Sequence, residues 1–177
     1  DQWRLAEALT AHLGLRWDRW RATDGYAQDL NPTTLVPRPG FPRTFADRTD
    51  SALSPKVGLV WQADPRTTVR VNYGTAFRAP KMFDMHRTFV STLGTIFLAN
   101  PELNPETIRS ADVGIEFRPT ERARLGASLF RNDLRDLLYR RTVTVLSEAQ
   151  ALCGSAATTN NCRQLVNAGR ARSQGVE

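Results

Sequence analysis

Leu9-Thr10-Ala11-His12-Leu13-Gly14-Leu15-Arg16-Trp17 places an apolar side chain at every odd position and a polar, small or charged one at every even position. A period of two belongs to a strand that buries one face in an apolar medium. Nine residues is also the length a tilted strand needs to cross a bilayer. The pattern returns in Val57, Leu59 and Trp61 against Lys56, Gly58 and Gln62. It returns again in Val69, Val71, Tyr73 and Thr75 against Arg70, Asn72, Gly74 and Ala76. A fourth run sets Ala111, Val113, Ile115 and Phe117 against Asp112, Gly114, Glu116 and Arg118, and a shorter fifth sets Leu125, Ala127 and Leu129 against Gly126 and Ser128. Beyond the fifth run Arg131 has outward parity, where a charge at mid-depth costs about 2–4 kcal/mol. Either the strand leaves the apolar layer there, or a bulge at Leu129-Phe130 resets its parity.

The connections sort by length. Ala63-Asp64-Pro65-Arg66-Thr67 and Pro119-Thr120-Glu121-Arg122 are tight turns, whereas residues 21–52, 78–106 and 136–163 are long loops. Short turns on one side and long loops on the other is the pattern of outer-membrane barrels, with the long loops outside. Trp3, which starts the first strand, and Trp61 and Phe117, which precede the short turns, form one aromatic band. Trp17, Trp20, Tyr73 and Phe77, at the entries to the long loops, form the other. The even-numbered faces carry Arg16, Lys56, Arg70, Glu116, Arg118 and Arg124, with glycines at 14, 58, 74, 114 and 126. Such an interior is wet or filled by polar protein, which predicts a wide barrel. His12 is expected to point into that interior as a hydrogen-bonded residue of its wall. The expected fold is all-β, an antiparallel up-and-down transmembrane barrel of which about six strands are present.

Composition is compatible with this reading. Apolar residues make up 41% of the 177, and the mean hydropathy of −0.41 is what alternating strands average to. No run approaches the roughly 18 apolar residues of a membrane helix, and no signal peptide is visible. The chain opens at Asp1 and stops at Glu177 as a strand pattern gets under way, which we read as a piece of a longer protein. The net charge of +6 rests on arginine, since lysine occurs only at 56 and 81. No basic cluster is interleaved with aromatics as nucleic-acid binding requires, so no nucleic-acid partner is expected. Cys153 and Cys162 enclose eight loop-type residues without a nearby histidine, which favours a local disulfide in an oxidising compartment over a metal site. Enzyme signatures are missing: there is no His-Glu-x-x-His, Gly-x-Ser-x-Gly or phosphate loop. Asp47/Asp50 and Asp133/Asp136 read as solvated pairs.

Four boxes stand at strand edges: Phe77-Arg78-Ala79-Pro80; Asn100-Pro101-Glu102-Leu103-Asn104-Pro105-Glu106; Gly114 and Glu116 within Asp112-Val113-Gly114-Ile115-Glu116; and Asn167-Ala168-Gly169 followed by Gly175-Val176-Glu177. In this order they resemble the C-terminal half of the barrel of TonB-dependent outer-membrane receptors, with Asp112 standing where the family usually has Glu. The likeness covers residues 52–177; the first 50 fit as a generic barrel strand and loop. It implies a barrel of 22 strands around an N-terminal plug, uptake of a metal chelate powered through TonB, and an outer-membrane location. Residues 1–177 would be a partial barrel, with the plug, the TonB-contacting region and the last strands outside it. Lipid and lipopolysaccharide would surround it. A passive porin-like or adhesin barrel shares the strands and aromatic bands but not the box order, and a soluble all-β binding domain would have to pack its apolar faces together.

The resemblance implies a substrate rather than a resident cofactor or metal: an iron chelate, with a ferric siderophore as the first reading and haem or cobalamin as the alternatives within the family. Haem receptors of the family place a haem-ligating histidine between the first two boxes, and here that loop holds His86 within Met82-Phe83-Asp84-Met85-His86-Arg87. Arg16, Arg78, Arg87, Arg140 and Arg141 would gather at the outer mouth and attract an anionic chelate. Glu106 and Glu116 would serve as partners of inward-facing arginines.

Overall fold

The structure is a computed structural model that describes residues 1–31, 33–37 and 41–177. Six long or medium strands and one short one make its main sheet: β1 (Gln2–Ala6), β2 (Leu9–Ala22), β5 (Arg48–Asp64), β6 (Thr67–Arg78), β9 (Glu106–Thr120), β10 (Ala123–Arg135) and β13 (Arg170–Val176). They lie side by side in that order, each antiparallel to the next. Between β2 and β5 a small hairpin forms from β3 (Gly25–Ala27) and β4 (Arg43–Phe45). The second long loop carries α1 (Met82–His86), β7 (Phe89–Val90) and β8 (Ile96–Leu98), and the third carries β11 (Leu138–Thr142), α2 (Leu146–Cys153) and β12 (Cys162–Asn167). β11, β12, β8 and β7 join into a second sheet, in which β12 and β8 run parallel. The up-and-down reading therefore describes the main sheet and not the loop cap.

The sheet has seven strands where about six were expected. Trp3 does not start the strand of Leu9–Trp17. It sits on β1, which turns back through Glu7-Ala8 and pairs Trp3 with Ala11. All three turns at this end are two residues long: Glu7-Ala8, Pro65-Arg66 and Glu121-Arg122. They are level with one another, since Gln62 donates to the Ala8 carbonyl at 2.8 Å and Arg118 to that of Arg66 at 2.8 Å. The long loops share the opposite end. No bulge occurs at Leu129-Phe130; the register between β10 and β9 runs unbroken from Leu125↔Phe117 to Arg135↔Thr107. Arg131 thus keeps its outward parity, and β10 leaves the apolar layer above Leu129.

Register fixes the two faces. One row on the outer face reads Ala11, Leu59, Val71, Val113, Leu129 and Val176 across six strands. The row behind it reads His12, Gly58, Asn72, Asp112, Phe130 and Gly175. The outer side chains stand free: Leu15 is 71% exposed, Leu129 59% and Val113 47%. A water-soluble protein does not leave such a continuous apolar face open. The main apolar core lies in the loop cap, where Val143, Ala149, Ala157 and Cys162 are buried with Ile96 and Cys153 against them. No helix among the described residues is long and apolar enough to cross a membrane.

The aromatic bands are seen only in part. Trp3, Trp61 and Phe117 stand exposed near the short turns, as do Trp17 and Tyr73 toward the loops. Trp20 and Phe77 instead stack on each other, with ring centroids 5.1 Å apart and planes 10° from parallel. They meet because β5 and β6 pair only from Lys56 downward, beside Pro55, which has no N–H to give a ladder.

Two outcomes follow. Val113→Arg should destabilise the whole protein in lipid vesicles by about 2–4 kcal/mol, and Ser110→Arg, inward on the same strand, by less than about 1; equal losses in denaturant titrations would contradict the assignment of faces. Residues 1–177 expressed alone should aggregate in water, because β1 and β13 leave unpaired edges beside a bare apolar face. A monomer with cooperative unfolding in detergent-free buffer would overturn the membrane reading.

Candidate functional site

The boxes build a knot at the loop end of the sheet. Pro after Asn holds each Asn-Pro step extended, so residues 100–105 run as a stiff strap. Leu103 anchors it with no exposed surface. Arg48 of β5 donates to the carbonyls of Pro101 (2.9 Å) and Leu103 (2.7 Å). Asn100 donates to the Leu165 carbonyl of β12 at 2.9 Å while its own oxygen accepts the Glu102 N–H at 3.0 Å. Asn167 closes the strap from the other side. Its oxygen accepts the Asn104 N–H (2.8 Å), and its amide donates to the carbonyls of Asn104 (2.9 Å) and Asp136 (2.7 Å). Gly169 follows with φ at +66°, a conformation that favours glycine. Glu106 ion-pairs with Arg78 and accepts the Leu138 N–H at 2.7 Å. Pro80 and Ala79 lead from this pair into α1, and Pro105 leads the strap into β9.

Above the knot, Tyr26, Gln28, Phe41, His86, Arg87 and Phe89 line an open cleft of about 650 Å³, within the size range of small-ligand sites. His86, the last residue of α1, sets its ring 4.5 Å from that of Phe45 at 60°. Both ring nitrogens are buried without a hydrogen-bond partner among the described residues, and burial lowers the pKa of the imidazole, which keeps it neutral. Arg87 lies over Phe83 (4.9 Å) and Phe89 (5.5 Å). Phe89 stacks on Phe97 at 4.7 Å, and Arg140 covers Phe97 at 4.8 Å. A guanidinium spread on a ring keeps its N–H edge available for an anion.

The other arginines at the mouth are engaged. Arg16 ion-pairs with Asp18 at 2.6 Å and reaches Phe77 at 5.9 Å. Arg141 holds Glu148 at 2.8 Å and Gln164 at 3.2 Å. Arg78 is committed to Glu106, so of the arginines expected to gather there the cleft receives Arg87. Lower on the inner face, Glu116 is nearly buried among Arg118 (2.9 Å), Arg70 (3.6 Å) and Arg124. Gly114 and Gly175 sit on the sheet beside this region, Gly175 so close to the Phe130 ring that an added Cβ would fall 3.0 Å from it. Glu177 exchanges two 2.9 Å backbone bonds with Ser128. Cys153 and Cys162 are disulfide-bonded and tie the end of α2 to β12. Asp47 accepts the Asp24 N–H at 3.2 Å and the Arg21 guanidinium at 2.9 Å, and these two lower its pKa. Among the described residues no three His, Cys, Asp or Glu side chains gather as a metal site.

The Phe83–Phe89–Phe97 ladder and the reciprocal pair Asn104/Asn167 were not foreseen from sequence. Neither has a period: the ladder depends on how α1, β7 and β8 fold back within one loop, and the asparagine pair joins residues 63 apart in the chain. The only available signal was the Asn-Pro box itself, whose two prolines mark a strap that something must hold.

An antiparallel sheet with a bare apolar face, a charged reverse face and a knotted loop cap defines a segment of a membrane-type β-barrel wall. The family model for the TonB dependent receptor-like β-barrel matches residues 1–177, and the chain belongs to that family. The haem/hemopexin utilization protein C of Haemophilus influenzae is 30% identical over 142 residues, 72% of this chain and 19% of that protein. An iron-regulated outer membrane virulence protein of Vibrio cholerae is 32% identical over 108 residues, 56% of this chain and 16% of that protein. The chain thus spans about a fifth of the length of the curated relatives it matches. The crystal structure of the siderophore receptor PirA of Pseudomonas aeruginosa superposes with a TM-score of 0.66 at 20% identity, over 99% of this chain and 28% of that one. The family is one of receptors, not enzymes.

Asn167→Ala removes three hydrogen bonds of the knot at about 1 kcal/mol each, so amide exchange at Asn104 and Ala168 of the whole receptor should accelerate by at least about tenfold; unchanged exchange would contradict the knot. Cys153→Ser frees a ten-residue loop whose closure is worth roughly 3 kcal/mol, and protease nicking within residues 154–161 should rise. Equal nicking in the two proteins would show that the small core, not the disulfide, holds the loop.

Proposed function

We propose that the whole protein is an outer-membrane receptor that takes up a metal chelate, with a ferric siderophore as the first reading. The observation that carries it is the cleft of Tyr26, Phe41, His86, Arg87 and Phe89 standing at the loop mouth of a wall whose reverse face is charged. Aromatic rings and a guanidinium with no ion pair among the described residues, in a cleft that also holds Asp29, suit a compact anionic chelate. The wet interior suits passage behind it. Energy would come through TonB, contacted by a region outside this chain, and lipid and lipopolysaccharide would bathe the outer face.

Haem is the second reading. It is supported by His86, whose buried nitrogens have no partner, and by the curated Haemophilus influenzae relative named for haem utilization. In this reading the imidazole would meet the iron and the phenylalanines the porphyrin face.

Growth of a receptor-deletion strain on single iron sources separates the two. Loss of growth on one ferric siderophore, restored by the wild-type gene but at least about tenfold less by Arg87→Gln, supports the first. Loss on haemin alone, with the Soret shift of the purified receptor abolished in His86→Ala, supports the second. Undiminished growth on every iron source under iron limitation would sink both.

A further inference from the structure

Above the rung of Lys56 with Gly74, the sheet has no ladder between β5 and β6. Continuing the register would set Pro55 opposite Thr75 and Leu53 opposite Phe77. Pro55 has no N–H to offer the Thr75 carbonyl, and Leu53 and Phe77 are not paired. Both strands nevertheless run on. β5 continues to Arg48 with β2 as its partner, and β6 continues to Arg78 with β9 as its partner. The upper wall is therefore two leaves. One is β2 and β5 with the β3–β4 hairpin, and the other is β6, β9, β10 and β13 with the second and third long loops. A hollow of about 420 Å³ lies at the split, bordered by Leu53 on one leaf and by Thr75, Phe77 and Thr107 on the other. Thr75 Oγ1 is buried there without a hydrogen-bond partner among the described residues.

Side chains hold the leaves together across this seam. Trp20 stacks on Phe77, Arg16 reaches the same ring at 5.9 Å, and Phe45 of the hairpin meets His86 at 4.5 Å. Ring contacts tolerate a range of offsets and angles, so they let the leaves slide. Arg48 does not. Its side chain is 25% exposed and is held by Asp50 at 2.6 Å, and it donates to the Pro101 and Leu103 carbonyls of the strap that leads into β9. The cleft lies across the same seam: Tyr26, Gln28 and Phe41 come from one leaf, and His86, Arg87 and Phe89 from the other.

We propose that Arg48 is a positioning residue that sets the width of the cleft, by clasping the two leaves of a wall that is split above Lys56. The inference rests on the cleft as the ligand site but not on which chelate it takes. Drawing either carbonyl away would leave a charged and largely buried donor without its partner, so the clasp has one favoured length. Elsewhere the ladder fixes the spacing of neighbouring strands at about 4.8 Å, and above the split that constraint is missing. A leaf that turns about the rung of Lys56 with Gly74 carries Tyr26, Gln28 and Phe41 with it. Chelates of different size are then discriminated by the clasp as well as by the groups that touch them.

Pulsed electron paramagnetic resonance on the whole receptor in bilayers, with spin labels in pairs and no chelate added, tests the clasp. Labels at 19 and 135 lie four strand spacings apart above the split, and labels at 13 and 131 the same number apart below it, about 20 Å in each case. Labels at 28 and 90 line the cleft from opposite leaves. Arg48→Gln should raise the population with a lengthened 19–135 distance at least about tenfold, through the loss of charge-assisted bonds. The 28–90 distance should lengthen in step, and the 13–131 distance should stay as it is. Arg48→Lys keeps the charge and the donors and should recover most of the wild-type distribution. Unchanged distances above the split in the Gln variant, equal broadening below it, or a fixed 28–90 distance would each overturn the proposal. Should the Gln variant not fold, amide exchange of the wild type decides. The Leu53 and Phe77 amides should exchange at least about tenfold faster than those of Leu59 and Val71 on the same strands; equal protection would show a continuous ladder and overturn the split. None of these readouts involves a chelate, so failure of the growth experiment and failure of the clasp are separate results.

Discussion

A bilayer offers no hydrogen-bond partner to a peptide group, so every N–H and C=O inside it must find one in the protein. That constraint organises the molecule. It demands the long ladders of β2, β5, β6, β9 and β10, which part between β5 and β6 only beyond Lys56, and it leaves the side chains to sort by parity. Odd positions from Leu9 to Trp17 and from Ala111 to Phe117 meet the apolar layer, and even positions turn inward. The usual signs of stability are then inverted. The long strands contribute few buried apolar side chains, and the well-packed core is a small one formed by Val143, Ala149, Ala157 and Cys162 in the loop cap. Lipid takes the place of the core that a soluble sheet would build for itself.

The knot at the mouth follows from the same constraint. Where strands end, pairing ends with them, and loops of more than twenty residues would otherwise leave their backbone to solvent and to chain entropy. Here the strap of residues 100–105 is fastened by Arg48 from one strand and Asn167 from another element more than sixty residues away. The boxes are thus devices that bind three loops to one rim. A cleft built on such a rim inherits its rigidity, which is how loop residues such as Arg87 and Phe89 can present a defined surface.

Parity was legible in the sequence wherever the alternation was strict, as in β2 and β9. Two of the three short turns were legible, from Pro65 within one and Pro119 beside the other, and the order of the boxes pointed to the family. What could not be read were features created by contact. Trp20 and Phe77 looked like independent interface residues, and only the parting of β5 from β6 at Pro55 brings them together. β1 was hidden because a two-residue turn at Glu7-Ala8 interrupts an alternation that resumes almost at once. Arg131 posed a real choice between a bulge and the end of the apolar layer, and local sequence has no means to decide it. Register with β9 decides it. The cleft was least legible of all: His86 and Arg87 were marked by their place between two boxes, while Tyr26 and Phe41 come from a loop without any box.

The central claim is that one face of this sheet meets lipid and the other meets water or polar protein. Spin labels placed singly at each position from 110 to 117 in the whole receptor, reconstituted in bilayers, test it most directly. Odd positions should be accessible to oxygen dissolved in the lipid, and even positions to a water-soluble nickel complex or to neither reagent, with the preference switching at every residue. An accessibility that does not alternate, or that alternates with the opposite parity, would contradict the account.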